Sequence, residues 1–249
     1  IRYMALLEAF YCGENVRPVL LDFSGMAPSQ SSVARASEMA YTQMHKSINR
    51  FYAWGYAQKL KEKDYSKEVL LQSETPVYDE KKKTTAELDT LWALAKERAN
   101  SCTTDDAVRL VFGETMYDML ALEASSHPVN CLKILGTSAG ILYPPDKLHP
   151  SKRFVLAQDV LEMILRSTVS PDEILSGSDM RNRLWERFGI IVGGSTYELE
   201  RLQSSGMLLQ IDEDSLERNF TSLAVLLEAM DFAEVMADGI LQIRLGGSD

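Results

Sequence analysis

The chain has 249 residues, 26 lysines and arginines against 36 aspartates and glutamates, and a formal net charge of −10. With 45% hydrophobic and 25% charged residues, 14 glycines and 8 prolines, it has globular proportions, which excludes disorder, collagen-like repeats and disulfide scaffolds. An acidic chain repels phosphate backbones on average, so contact with nucleic acid requires a local basic patch.

The first residue is Ile1, and an amphipathic pattern (Tyr3, Leu6, Leu7, Phe10, Tyr11) starts at once, which reads as a piece of a longer chain. That pattern predicts a helix over 2–12, stopped by Gly13. Arg17 to Phe23 is an apolar run too short to assign between strand and helix. From Ser29–Ser32 to about Asp64 runs the longest helical stretch, with Val33, Ala36, Ala40, Met44, Ile48, Phe51 and Leu60 along one stripe. Residues 65–83 are polar, broken by Pro76, and read as a surface loop. Thr84-x-x-Glu87 is a capping box opening a helix to Ala99. Thr104 with Asp105 and Asp106 opens the next, since acids suit the positive end of a helix, and His127-Pro128 closes it.

Pro144-Pro145 and His149-Pro150 mark the expected domain boundary, because neither helix nor strand tolerates that density of proline. Beyond it a helix is expected over about 156–168, and another capped by Ser178 and running to Gly189. A second capping box follows at Ser195-x-x-Glu198, stopped by Gly206. A strong helix then covers 212–230, before a hairpin of 232–236 and 240–245 about Asp238-Gly239. The expected fold is therefore mainly α: a helical N-terminal bundle (1–145) and a C-terminal domain (151–249) ending in a β-hairpin.

In layout, residues 155–245 resemble winged helix-turn-helix domains. That resemblance implies a helix before the wing presented to DNA, with basic and amide side chains. The corresponding helix carries Glu213, Asp214, Glu217 and Glu228 against a lone Arg218, and the wing turn presents Asp238. Residues 151–249 hold nine basic and seventeen acidic side chains, net −8. The shape is thus expected without its usual ligand, as a protein-docking module. The segments Ala139–Pro145 (AGILYPP) and Arg187–Gly194 (RFGIIVGG) resemble helical, winged-helix-tailed proteins encoded in bacterial phage-defence islands, over about the last 120 residues. That likeness implies a subunit of a bacterial multi-protein assembly.

Two further readings compete with an adaptor. Between Tyr41 and Lys63 lie Lys46, Arg50, Lys59, Lys61 and Lys63 against Glu62 alone, net +4, interleaved with Phe51, Tyr52, Trp54 and Tyr56. Cations with aromatics make a single-stranded nucleic-acid surface, and Lys81–Lys83 would extend it. The competing reading is a core stripe of rings with a solvated lysine rim. Gly136-Thr137-Ser138-Ala139-Gly140 matches the G-x-S-x-G elbow and resembles that of patatin-like acyl hydrolases, which implies Ser138 as nucleophile with Asp238 of Asp238-Gly239 as its partner. Against it, the region 90–130 holds only Gly113 where an oxyanion loop is needed, and Pro144-Pro145 interrupt the helix that should follow. A structural turn is the preferred account, and no catalytic residue is expected.

Gly193-Gly194-Ser195 is a helix entry able to hold an anion, though an ordinary Ser-capped turn is the preferred account. Cys12, Cys102 and Cys131 are far apart and read as reduced, small core residues. With His45, His127 and His149 the only histidines, no metal-ligand spacing appears, and no cofactor motif is present. Asn219-Phe220-Thr221 matches a glycosylation acceptor inside a predicted helix, where it is accidental. No apolar run spans a bilayer and no secretory leader is recognisable, so a cytoplasmic location is expected.

Overall fold

The computed structural model describes residues 18–76, 86–123, 128–147, 149–205 and 211–245, in which nine helices outweigh seven short strands. The expected helix over 2–12, Cys12, Lys81–Lys83, the Thr84 cap, His127 and Gly206 lie outside them.

The described chain separates into two compact units. One comprises residues 45–76, 86–123 and 128–132, and the other residues 18–44 and 133–245. This grouping differs from the expected boundary at 145–151. The prolines fall instead inside the second unit, in the connection between two paired strands, β2 (Leu142–Tyr143) and β3 (Arg153–Phe154). Proline stops a regular element whether the chain is leaving a domain or merely turning, so its density cannot separate the two cases.

The first unit is all helix: the second part of α1 (Ser32–Glu62), α2 (Lys67–Gln72), α3 (Ala86–Asn100), α4 (Asp105–Glu123) and the start of α5 (Pro128–Ser138). Its core joins Leu60, Leu70, Leu88, Trp92, Ala95, Ala99, Val108, Phe112 and Met119. Trp92 and Phe112 meet edge to face, with centroids 4.8 Å apart. Ile48 and Leu60 of the predicted α1 stripe are buried as expected, whereas Phe51 is half-buried and stacks on Trp54. The expected loop after residue 65 contains α2, capped by the Ser66 hydroxyl accepting from the Val69 N–H. Leu70 alone of its residues is buried, so no periodic pattern advertised it. Gly113 sits inside α4, where α4 passes against α1: a Cβ there would lie 2.3 Å from the Ala53 carbonyl oxygen.

The second unit pairs its strands in three small sheets. β1 (Val19–Leu20) runs parallel to β5 (Ile190–Ile191), and Leu21 bridges Phe154 on its other side. The ambiguous run at 17–23 is therefore extended, because its backbone partners lie more than a hundred residues away and local pattern could not reveal them. β2 and β3 are antiparallel. The third sheet has the order β4-β7-β6, with β4 Ile174–Ser176, β6 Ala233–Val235 and β7 Leu241–Arg244, all antiparallel. Helices α6 (Gln158–Thr168), α7 (Gly177–Phe188), α8 (Thr196–Ser204) and α9 (Glu213–Ala229) complete the unit. Their inward faces (Leu161, Leu165, Met180, Leu184, Leu202, Leu216, Leu223) are nearly or fully buried.

Local chemistry differs from expectation at three helix ends. Ser176, not Ser178, caps α7, accepting from the Asp179 N–H at 3.1 Å. Ser195 precedes α8 but makes no side-chain cap, and Glu198 turns inward instead of back to it. Past His127-Pro128 the chain enters another helix, α5, with proline at its first position, where a missing N–H costs nothing.

Glu173 is held by both terminal nitrogens of Arg183, Nη1 at 2.8 Å from Oε2 and Nη2 on Oε1. Hydrogen bonding by Arg183 lowers its pKa from the ordinary 4.5 to about 2. A carboxylate depressed on folding stabilises above its unfolded pKa and loses that contribution as pH falls through the folded one. Acid titration of the wild type should therefore show a loss of stability between pH 4.5 and about 2 that Glu173→Gln lacks, read as a shallower pH dependence of Tm.

Candidate functional site

The residues singled out by sequence fall into three places. Ser138 is the last residue of α5, exposed, and the apolar run Cys131–Leu135 before it is helical. A nucleophile elbow needs a strand, a sharp turn and then a helix, so that the hydroxyl stands clear above a sheet. Here the order is helix, then the Ala139-Gly140 turn, then β2. The described residues place no base in hydrogen-bond contact with Ser138, while Asp238 accepts the Ile240 N–H at 3.0 Å within the β6–β7 turn. Turn geometry accounts for both dipeptides.

The cations of 41–63 spread around α1. At about 100° per residue, Lys46, Arg50 and Lys61 fall within one third of the circumference and Lys59 on the opposite side. Lys59 pairs with Glu62 at 2.8 Å, and Lys61 reaches Asp106 at 3.3 Å. Lys63 follows the end of the helix and is exposed, as are Lys46 and Arg50. Tyr52 stacks on Tyr117 (centroids 5.5 Å apart), whose hydroxyl donates to Asn49. These rings are thus partly spent on packing, and the lysines partly on carboxylates. The pair Asp105-Asp106 serves the same framework, Asp106 receiving Arg109 Nη1 at 2.9 Å and Asp105 accepting the Lys67 N–H at 3.3 Å. Hydrogen bonds from Arg109 and Lys61 hold the Asp106 carboxyl below the usual range.

The third place is α9 with the two strands that follow it. Asp212 caps α9 by accepting the Ser215 N–H at 2.6 Å, and hydrogen bonding from the Ser215 side chain, then its backbone, lowers the Asp212 pKa. Glu213, Asp214, Glu217 and Glu228 are all exposed, and Glu228 accepts the Val235 N–H of β6 at 3.2 Å. Beside them Val225 (60% exposed), Val235, Met236 and Ile240 (51%) leave apolar surface in solvent. Arg218 is the one cation on the helix, and its Nη2 is bonded to the Ser215 hydroxyl at 3.0 Å. Exposed apolar side chains and carboxylates thus occur together on α9 and the β6–β7 strands.

The Gly193-Gly194 entry is no open cradle. Gly193 has φ +113°, and a Cβ on it would stand 2.2 Å from the Leu216 carbonyl oxygen. Arg181 covers the stretch, donating from Nη1 to the Gly193 carbonyl at 3.0 Å with its Cζ 4.5 Å over the Phe220 ring. Glu198 lies 3.6 Å from the same nitrogen at 1% exposure, and burial pushes its carboxyl pKa up. These groups fasten α7, α8 and α9 together.

Sequence reasoning missed a cavity between the segment after β1 and the β2–β3 connection, whose residues share no motif. The described residues contain no cluster of histidine, cysteine and carboxylate able to hold a metal, and no helix long and apolar enough to cross a membrane. Cys102 is half-buried and Cys131 exposed, so Cys131 is not the core residue expected. Comparison with protein-family models, curated proteins and solved structures finds no match.

Proposed function

We propose that this protein is a non-enzymatic adaptor, a binding subunit of a bacterial multi-protein assembly related to phage defence. Its C-terminal winged-helix-like part docks a basic protein surface. The element order α6, β4, α7, α9, β6, β7 and the strand order β4-β7-β6 support the winged-helix reading, with α8 as an additional helix. The observation that carries the docking reading is the exposed face of α9, the helix that the winged-helix reading assigns to DNA. It presents Glu213, Asp214, Glu217 and Glu228 around exposed Val225 and the β6–β7 turn.

Each carboxylate set against phosphate weakens binding, whereas the same carboxylates around apolar side chains complement a lysine- or arginine-rimmed apolar patch. The bacterial assembly and its defence role rest on the sequence likeness alone.

Affinity purification from the native cell is expected to recover a protein partner that is lost when Glu217 and Glu228 become Lys. Binding to duplex DNA should be undetectable at about 0.15 M salt. A monomer without a partner would overturn the adaptor reading. Single-stranded DNA or RNA binding abolished by Lys59→Glu, Lys61→Glu and Lys63→Glu would replace it with the nucleic-acid reading. Esterase activity abolished by Ser138→Ala would replace it with an acyl hydrolase.

A further inference from the structure

Within the second unit, the loop 25–28, Glu38 of α1, Tyr143, His149, Lys152 and Arg153 surround a cavity of about 550 Å³. That volume lies in the range of pockets for small organic ligands. Two of its wall residues are buried cations, Lys152 at 1% and Arg153 at 8% exposure. Buried charges ordinarily find full pairing.

Neither does so here. Lys152 donates from Nζ to the carbonyl oxygens of Pro144 and Asp146, both neutral acceptors, and forms no ion pair among the described residues. An ammonium has three N–H groups, so one remains. Arg153 meets Asp22 only along its edge, with Nε 3.1 Å from Oδ2, an ion pair in which neither of these buried atoms makes a hydrogen bond. The other oxygen of Asp22 accepts both the backbone N–H and the hydroxyl of Ser24. The two terminal nitrogens of Arg153 make no hydrogen bond among the described residues, and its Cζ lies 5.0 Å over the Tyr143 ring. A guanidinium held by charge alone along its Nε edge and without a hydrogen bond at its fork can take a planar or tetrahedral oxyanion in two parallel hydrogen bonds.

The remaining walls restrict the ligand further. Tyr143 is 47% exposed; Arg153 lies over one face of its ring, so a base at the mouth would stack on the opposite face. The carboxylate of Glu38 repels a bare polyanion and accepts N–H groups. Burial, aided by the charge of Lys133 and partly offset by the Asp146 carboxylate, presses the Lys152 ammonium pKa down, a cost that a bound anion would relieve further.

We propose that this cavity binds a nucleoside monophosphate: phosphate on the Arg153 fork and the Lys152 ammonium, base on Tyr143, and a base N–H toward Glu38. The site is independent of the α9 surface, so either proposal stands if the other fails.

Calorimetric titration of the full chain with AMP, GMP, CMP and UMP, with adenosine and inorganic phosphate in parallel, tests it. Saturable one-to-one binding is expected for at least one nucleotide, with the nucleoside and phosphate about tenfold weaker or more. Tyr143→Ala, at a rim position, should weaken that nucleotide about fivefold. The double variant Asp22→Asn, Arg153→Met removes both members of the buried pair, leaves no orphan carboxylate, and should abolish binding. Absence of saturation by all four nucleotides at millimolar concentration overturns the proposal. So does binding unchanged in both variants, or inorganic phosphate binding as tightly as the best nucleotide.

Discussion

Replacement of Asn219 by Ala is expected to destabilise the second unit by about 3 kcal/mol, because three backbone groups lose their partner at once. The Asn219 amide is 1% exposed. Its Nδ2 donates to the carbonyls of Leu21 (2.9 Å) and Val192 (2.6 Å), and its Oδ1 accepts the Phe23 N–H at 2.7 Å. One side chain on α9 thus fastens the segment after β1 and the segment after β5, adding to the β1–β5 pairing and the Leu21 N–H bond to the Ile191 carbonyl. Without it the buried backbone groups lose their protein partner, so the cost approaches the desolvation penalty of each group.

Asn219→Asp should be worse still near neutral pH, since it sets a carboxylate against two carbonyl oxygens. Urea unfolding followed by circular dichroism measures both. A loss below about 1 kcal/mol for the alanine variant would show that α9 is held by apolar packing alone. The same geometry removes Asn219-Phe220-Thr221 as a glycosylation site, because the nitrogen that would carry the sugar is enclosed between two carbonyls.

Gly113→Ala should destabilise the first unit by about 2 kcal/mol, opposite in sign to the usual gain of up to about 1 kcal/mol for alanine over glycine inside a helix. The added Cβ would stand 2.3 Å from the Ala53 carbonyl oxygen and 2.9 Å from the Ala57 nitrogen. Both atoms belong to α1 backbone, which cannot rotate aside as a side chain would. The helices must separate, and contacts in the shared core are lost with them. Gly55 provides the control, for a Cβ there meets nothing within 4 Å. Gly55→Ala should be neutral or stabilising, by up to about 1 kcal/mol. Thermal melts of the two variants side by side give the answer. Equal Tm values would show that α1 and α4 are free to part.

Much of the helical content was legible from the chain because helices depend on neighbours three and four residues away. The stripe from Val33 to Leu60, the capping chemistry of Thr104 and Asp212 and the exposed acids of α9 are all local facts, and the structure displays them. Those periodicities and caps predicted a mainly α chain, and the sequence holds no recognisable phosphate loop or metal-ligand spacing.

What tertiary structure alone decided is where distant segments meet. Val19 pairs with Ile190, Asn219 reaches Leu21, and the arginine beside Tyr143 faces a loop more than a hundred residues earlier. Such pairings are selected by burial and by hydrogen-bond satisfaction of the whole fold. No spacing rule within a window of twenty residues encodes them. The prolines at 144–150 report a local break in regular backbone, and only the pairing of β2 with β3 on either side shows that the chain returns to the same unit.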